Sequence, residues 1–229
     1  INSNGSIPSV VSANPAAGFS IVSYTGNGNN YPTGASIGHG LDSQPKIIIV
    51  KDRTNTGTSW AVLPVAVSDS TAQTLLLDYD FALSSSGSAN AFNQQLPTSS
   101  VFYVGQNSGG ARTNGASSNY IAYCFAEVAG FSKFGSYTGT GSAGNAQTLG
   151  FEPAFIMFKL TSQASDWFIL DNKRDTTNPR NNPLYPNLSN AEGSLGTGVN
   201  FLSNGFDFTG GSLNTTGVTF IYMAFANQF

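Results

Sequence analysis

Apolar positions along this chain come in short runs rather than in helical stripes. Phe19 to Thr25 reads as a strand, closed by Gly26-Asn27-Gly28-Asn29-Asn30, a loop rich in residues that tolerate positive φ. Lys46 to Val50 is a continuous apolar run, which reads as a strand covered on both faces. Trp60 to Leu63, Thr74 to Leu77, Val101 to Val104 and Tyr120 to Val128 complete six or so strands, separated by Gly, Asn and Ser clusters that break regular structure. A second series follows: Ser132 to Thr138, Ala154 to Leu160, Trp167 to Leu170, Phe206 to Thr209 and Val218 to Ala226. Residues 83–90 and 105–118 read as loops. The stretch before Phe19 carries Pro8 and Pro15 among Ser and Asn, and predicts an extended arm over residues 1–17 that adds a strand to a sheet edge or crosses a neighbouring subunit.

The two series share landmarks in one order. Gly18-Phe19-Ser20 to Ser23-Tyr24-Thr25-Gly26 returns as Gly130-Phe131-Ser132 to Ser136-Tyr137-Thr138-Gly139. Pro45 to Lys51 matches Pro153 to Lys159, Ser59-Trp60 matches Asp166-Trp167, and Tyr120 to Ala126 matches Phe220 to Ala226. The spacing between partners shortens steadily, as expected when a duplicated unit loses loop residues. The expected fold is therefore all-β: two tandem, duplicated antiparallel β-sandwiches of jelly-roll or lectin-like type, at 18–129 and 130–229. The final strand of each copy has large residues on both faces, which fits the centre of a sandwich with a second neighbour behind it. The copies differ most at 171–198, where Pro179, Pro183 and Pro186 forbid both a helix and a central strand. Long loops of this kind often carry function.

Composition narrows the chemistry. Only 9 % of the 229 residues are charged, and the net charge is −3, so there is no basic face for nucleic acid. No apolar run is long enough for a membrane-spanning helix, and no membrane insertion is expected. The single cysteine, Cys124, lies in an apolar strand and reads as a buried thiol. The single histidine, His39, sits in a loop with no second histidine to share a metal and no nucleophile elbow to serve. Asp78 with Asp80, Asp166 with Asp171, and Glu152 with Glu192 are the carboxylate pairs to consider for glycoside cleavage or calcium, but none has the further spacing such sites need. No catalytic residue, metal or cofactor is expected. Lys51 and Lys159 end matching strands and could meet a carboxylate such as Glu127, or an Asn in an isopeptide link.

For ligand contact, Trp60 and Trp167 offer flat faces to a sugar ring, or else fill the core. Tyr31 and Tyr185, in Gly/Asn/Pro loops, are the better sugar contacts, with Asn187 nearby as a hydrogen-bonding group.

Three phrases carry a resemblance: Tyr120 to Gly139 (YIAYCFAEVAGFSKFGSYTG), Asn187 to Glu192 (NLSNAE) and Tyr222 to Ala226 (YMAFA). They resemble a domain of unknown function of tailed bacteriophages, especially phages of marine bacteria such as cyanobacteria, across about residues 4–229. The resemblance implies a virion protein, on the outer surface of the particle, in a tail fibre, appendage or capsid decoration. It implies other virion proteins as partners and a homo-oligomer, a trimer if the protein belongs to a fibre. It implies no catalytic residues. Host-surface glycans are the expected ligand, with a purely architectural coat, sheath or decoration subunit as the competing expectation, and a polysaccharide depolymerase as a third. The Asn-x-Ser/Thr triplets at Asn4, Asn187 and Asn214 would go unused in such a protein.

Overall fold

A computed structural model describes residues 1–83, 89–106 and 113–227. Strands take 40 % of the chain and helix 4 %, so the fold is all-β, made of several antiparallel sheets and no barrel. Of the loops expected at 83–90 and 105–118, residues 84–88 and 107–112 lie outside the described residues. No helix among the described residues is long and apolar enough to cross a membrane. The chain divides into two compact units: unit 1 is Ile1–Leu77 with Leu83–Glu127, and unit 2 is Asp78–Ala82 with Val128–Phe229.

Unit 1 contains β1 (Ser9–Asn14), β2 (Phe19–Thr25), β3 (Ala35–Gly38), β4 (Ile47–Asp52), β5 (Ala61–Pro64), β6 (Leu75–Leu76), β7 (Val101–Val104) and β8 (Asn119–Phe125). Six of them form one sheet in the order β1-β2-β8-β4-β5-β6, and β3 pairs with β7 in a second. The N-terminal arm thus supplies the edge strand β1, paired with β2 from Ser9↔Tyr24 to Asn14↔Phe19. Alternation sets the core: Val22, Tyr24, Ile48, Val50, Tyr120, Ala122 and Cys124 point from the large sheet toward Ile37, Phe102 and Val104 of the small one. Ile47, Ile49 and Val62, on the opposite face, are buried as well. That explains why the β4 sequence is apolar throughout rather than alternating.

Unit 2 contains β9 (Ser132–Thr138), β10 (Gly144–Thr148), β11 (Phe155–Leu160), β12 (Trp167–Asp171), β13 (Val199–Leu202), β14 (Gly205–Phe208) and β15 (Thr219–Phe225). One sheet runs β12-β11-β15-β9 and the other β10-β14-β13. Its core is aromatic: Phe158, Phe206, Phe208, Phe220 and Tyr222 surround Tyr137. Truncating any one of these rings would remove about 3–5 kcal/mol. Trp167, Met157, Ile221 and Met223 are buried on the other face of the four-stranded sheet.

Read from the landmark strands, the order β2-β8-β4-β5 in unit 1 corresponds to β9-β15-β11-β12 in unit 2. The aromatic pair at the start of the core repeats too. Tyr24 stacks on Tyr120 with centroids 5.1 Å apart, and Tyr137 stacks on Phe220 at 5.0 Å. Each tyrosine hydroxyl then donates to a backbone carbonyl, Tyr24 to Thr113 at 2.7 Å and Tyr137 to Leu213 at 2.6 Å. The strands that sequence patterning did not identify are β3, β10 and β13. They are short, and Ala35–Gly38 and Gly144–Thr148 mix Gly with small polar residues, so no period of two is visible. The run from Tyr120 stops pairing at Phe125, and the expected strand at Thr74 to Leu77 is only Leu75–Leu76.

Candidate functional site

The loop after β2 is fixed by one buried side chain. Asn114, 0 % exposed, accepts from the Asn27 N–H at 3.0 Å and donates to Asn27 Oδ1 at 2.8 Å and to the Asn29 carbonyl at 3.0 Å. The Gly28 N–H donates to its main-chain carbonyl. The same clasp closes the loop after β9. Asn214, also 0 % exposed, accepts from the Thr140 N–H at 3.0 Å and donates to the Ser142 carbonyl at 2.6 Å and Thr140 Oγ1 at 3.2 Å. Gly26 and Gly139 lie beside these clasps. A Cβ would sit 2.3 Å from the Gly115 carbonyl at Gly26, and 2.1 Å from the Thr215 carbonyl at Gly139, so neither position admits a side chain.

Beyond the clasp the unit 1 loop is held on further sides. Asn29 Nδ2 donates to the Gly34 carbonyl at 3.2 Å, and Asn93 Nδ2 donates to the Pro32 carbonyl at 3.1 Å. Ser6 and Ser36 bond reciprocally, each N–H to the other hydroxyl, at 3.0 and 2.9 Å. The result is a groove of about 360 Å³ lined by Asn27, Asn29, Thr33, Ser36, Gln95 and Tyr103, among others. Tyr103 is half-buried. Asn93 in its wall is 2 % exposed, and its Oδ1 has no hydrogen-bond partner. Tyr31 stands in the same loop, 43 % exposed. A larger groove of about 440 Å³, with Val10, Ser23, Arg53 and Asn119 in its lining, runs along the strand ends of the same unit. Of these two grooves, the smaller has walls tied to backbone on several sides and is lined solely by uncharged residues.

In unit 2 the proline-rich loop is held by polar side-chain contacts and by two antiparallel backbone bridges, Leu184 with Ile169 and Arg180 with Val199. Asp171 accepts from the Lys173 and Arg174 N–H groups at 3.0 and 2.9 Å and from Arg174 Nε at 2.6 Å, and these bonds hold its carboxyl below the usual carboxylate range against the effect of burial. Arg174 also bonds Glu192. Arg180 lies over the Phe201 ring at 4.3 Å. Tyr185 packs edge-on against Phe168, 5.5 Å between centroids. Asn187 accepts from the Trp167 N–H at 3.0 Å and donates to Asp166 Oδ1 at 2.8 Å, so both ends of its amide are occupied. Trp167 is 1 % exposed and fills the interior. Trp167, Tyr185 and Asn187 thus share one neighbourhood of unit 2, whereas Tyr31 and Trp60 belong to unit 1. Trp60 is half-buried, stacked on Tyr123 at 6.5 Å with Lys51 Nζ 6.0 Å from its ring.

The groups weighed for reactive chemistry are engaged elsewhere. His39 is 0 % exposed, accepts from the Leu41 N–H at Nδ1 and faces the Thr98 carbonyl with Nε2; burial lowers its pKa. Burial pushes the Cys124 thiol up to about 12, far from a thiolate at neutral pH. Lys159 is 0 % exposed and donates to the Leu160 and Asp80 carbonyls at 2.5 and 3.3 Å, while Lys51 donates to the Thr58 carbonyl. Among the described residues no group of three or more His, Cys, Asp or Glu could hold a metal ion.

Sequence reasoning missed Asn114, Asn214, Asn93 and Tyr103. The first two were within reach, since they stand equally far before the matched Tyr120 and Phe220. Nothing local marks Asn93 or Tyr103, whose roles depend on contacts made far along the chain.

The family model described as Domain of unknown function (DUF7483) matches residues 1–228. No curated protein and no solved structure matches the chain.

Proposed function

We propose that this chain, which belongs to the DUF7483 family, is a non-enzymatic structural protein of a bacteriophage virion whose loops contact glycans on the host surface. In this reading one β-sandwich module is present twice. The shared strand order, the paired Tyr stacks and the paired Asn clasps support the duplication. The observation that carries the glycan reading is the groove of unit 1: fixed walls, uncharged hydroxyl and amide groups, and Tyr103 at its side. Neutral sugars are recognised by that combination, hydroxyls meeting amides and an aromatic ring meeting C–H groups. Loops already ordered before binding lose little further entropy when they bind. Tyr31 in the same loop and Tyr185 in unit 2 are accessory contacts in this proposal, whereas Asn187 and Trp167 support the frame from within.

A single shallow groove gives weak affinity, so the function relies on several copies acting together, a homo-oligomer (a trimer in a fibre) on the virion surface beside other virion proteins. The competing reading is a purely architectural subunit. It is favoured by β1, an edge strand that shows Val10 62 % exposed and can pair with another chain. A glycan array probed with the protein on multivalent beads separates the two. Binding to neutral hexose glycans, weakened on Thr33→Arg in the groove, is the expected result; no binding by the multivalent form would leave the architectural role.

A further inference from the structure

Residues 78–82 belong to unit 2, although 83–127 return to unit 1. This short piece is pinned at its centre. The Asp80 carbonyl accepts from the Ser165 N–H at 2.8 Å and from Lys159 Nζ at 3.3 Å. Lys159 is wholly buried to make that contact, and burying an ammonium is costly unless it is bonded. On either side of the pinned carbonyl, Tyr79 and Phe81 are 46 % and 53 % exposed. Their rings stack on each other, 17° from parallel with centroids 5.0 Å apart, and form a slab that leaves aromatic surface open to solvent. Exposed apolar side chains that cluster, unlike those scattered singly, mark interaction sites. The β11–β12 turn that supplies Ser165 also presents the exposed, uncharged Ser162 and Gln163.

We propose that the Tyr79–Phe81 slab is a second binding site, for the C–H face of a hexopyranose, with Ser162 and Gln163 on the turn that fixes it supplying hydrogen bonds to ring hydroxyls. The inference rests on the glycan reading above but uses different residues in a different unit. The exposed Asp78 and Asp80 flank the rings, so the rim disfavours an acidic partner and offers carboxylates that accept from sugar hydroxyls, while an aromatic face meets the C–H face of a pyranose. Lys159 is a positioning residue here, acting through the Asp80 carbonyl. Two weak sites on one chain would multiply the avidity of an oligomer.

Saturation-transfer NMR on the full chain, with methyl β-galactopyranoside and methyl β-glucopyranoside as probes, tests the slab. Saturation should reach the sugar C–H protons in the wild type and in Thr33→Arg. The Y79S/F81S protein, whose altered side chains are exposed, should bind about tenfold more weakly at this site while keeping the wild-type unfolding midpoint. Equal signals from wild type and Y79S/F81S, with loss confined to Thr33→Arg, would overturn the second site and leave the groove reading intact. No signal from any of the three would remove both.

Discussion

Replacing Asn214 by alanine removes a clasp made of four side-chain hydrogen bonds. The Thr140 N–H and the Ser142 carbonyl lose a buried partner, and Asn145 Nδ2 loses its acceptor at 2.7 Å. Each such group costs about 1–3 kcal/mol when stranded. Thr140 and Ser142 are themselves exposed, so water recovers part of this. The expected loss is about 2–3 kcal/mol for Asn214→Ala, and about 2 kcal/mol for Asn114→Ala, which has one bond fewer. Each unit contains one tryptophan, so W60F and W167F backgrounds give one fluorescent reporter apiece. Urea unfolding should show the Asn214→Ala loss at Trp167 and the Asn114→Ala loss at Trp60, each measured against its own background. Ser142→Ala, which keeps the carbonyl, should stay within about 0.5 kcal/mol. A loss below that value for both asparagine variants would refute the idea that these residues hold the loops.

Two further outcomes follow from buried titratable groups. Burial lowers the pKa of His39 in the folded state below its unfolded value, the Thr98 carbonyl and Asp42 only partly opposing it, so the unfolded chain takes up a proton first as pH falls. Stability should be full above the unfolded histidine pKa and should decline as pH falls from there toward the folded value. His39→Asn should flatten the change between pH 7.5 and 5, and an identical decline in both proteins would contradict this. Burial likewise lowers Lys159 to about 8, from 10.5. The wild type should therefore gain stability as pH rises from 8 toward 10.5, a gain absent in Lys159→Met, which should also exchange the Ser165 amide faster; unchanged exchange would show that Lys159 does not hold residues 78–82.

How much of this was written in the sequence follows from the range of each interaction. The long strands were legible because Phe19–Thr25 and Ser132–Thr138 are matching runs that each end at a glycine, and because Ile47–Asp52 and Phe155–Leu160 are largely apolar on both faces. The recurrence of Phe-Ser, Ser-Tyr-Thr-Gly and Lys-Trp pairs showed which strands correspond. Short strands such as Ala35–Gly38 were not legible, since they exist through pairing with Val101–Val104 rather than through their own pattern. The groove was half visible: the Gly/Asn loop around Tyr31 was marked, but Asn93, Gln95 and Tyr103 reach it from far along the chain. Asp78 and Asp80 were legible as acids, whereas the bonds that the Asp80 carbonyl accepts from Lys159 and Ser165 were not, since they join residues far apart in the chain. Of the two readings open for tryptophan, Trp167 takes the core one at 1 % exposed, while Trp60 is half-buried.

The most direct test is a crystal of the chain soaked with the neutral oligosaccharide that binds best on the array. Sugar density between Tyr103 and the Asn27–Thr33 loop is the predicted result. An oligosaccharide bound elsewhere, with that groove vacant, would contradict the account.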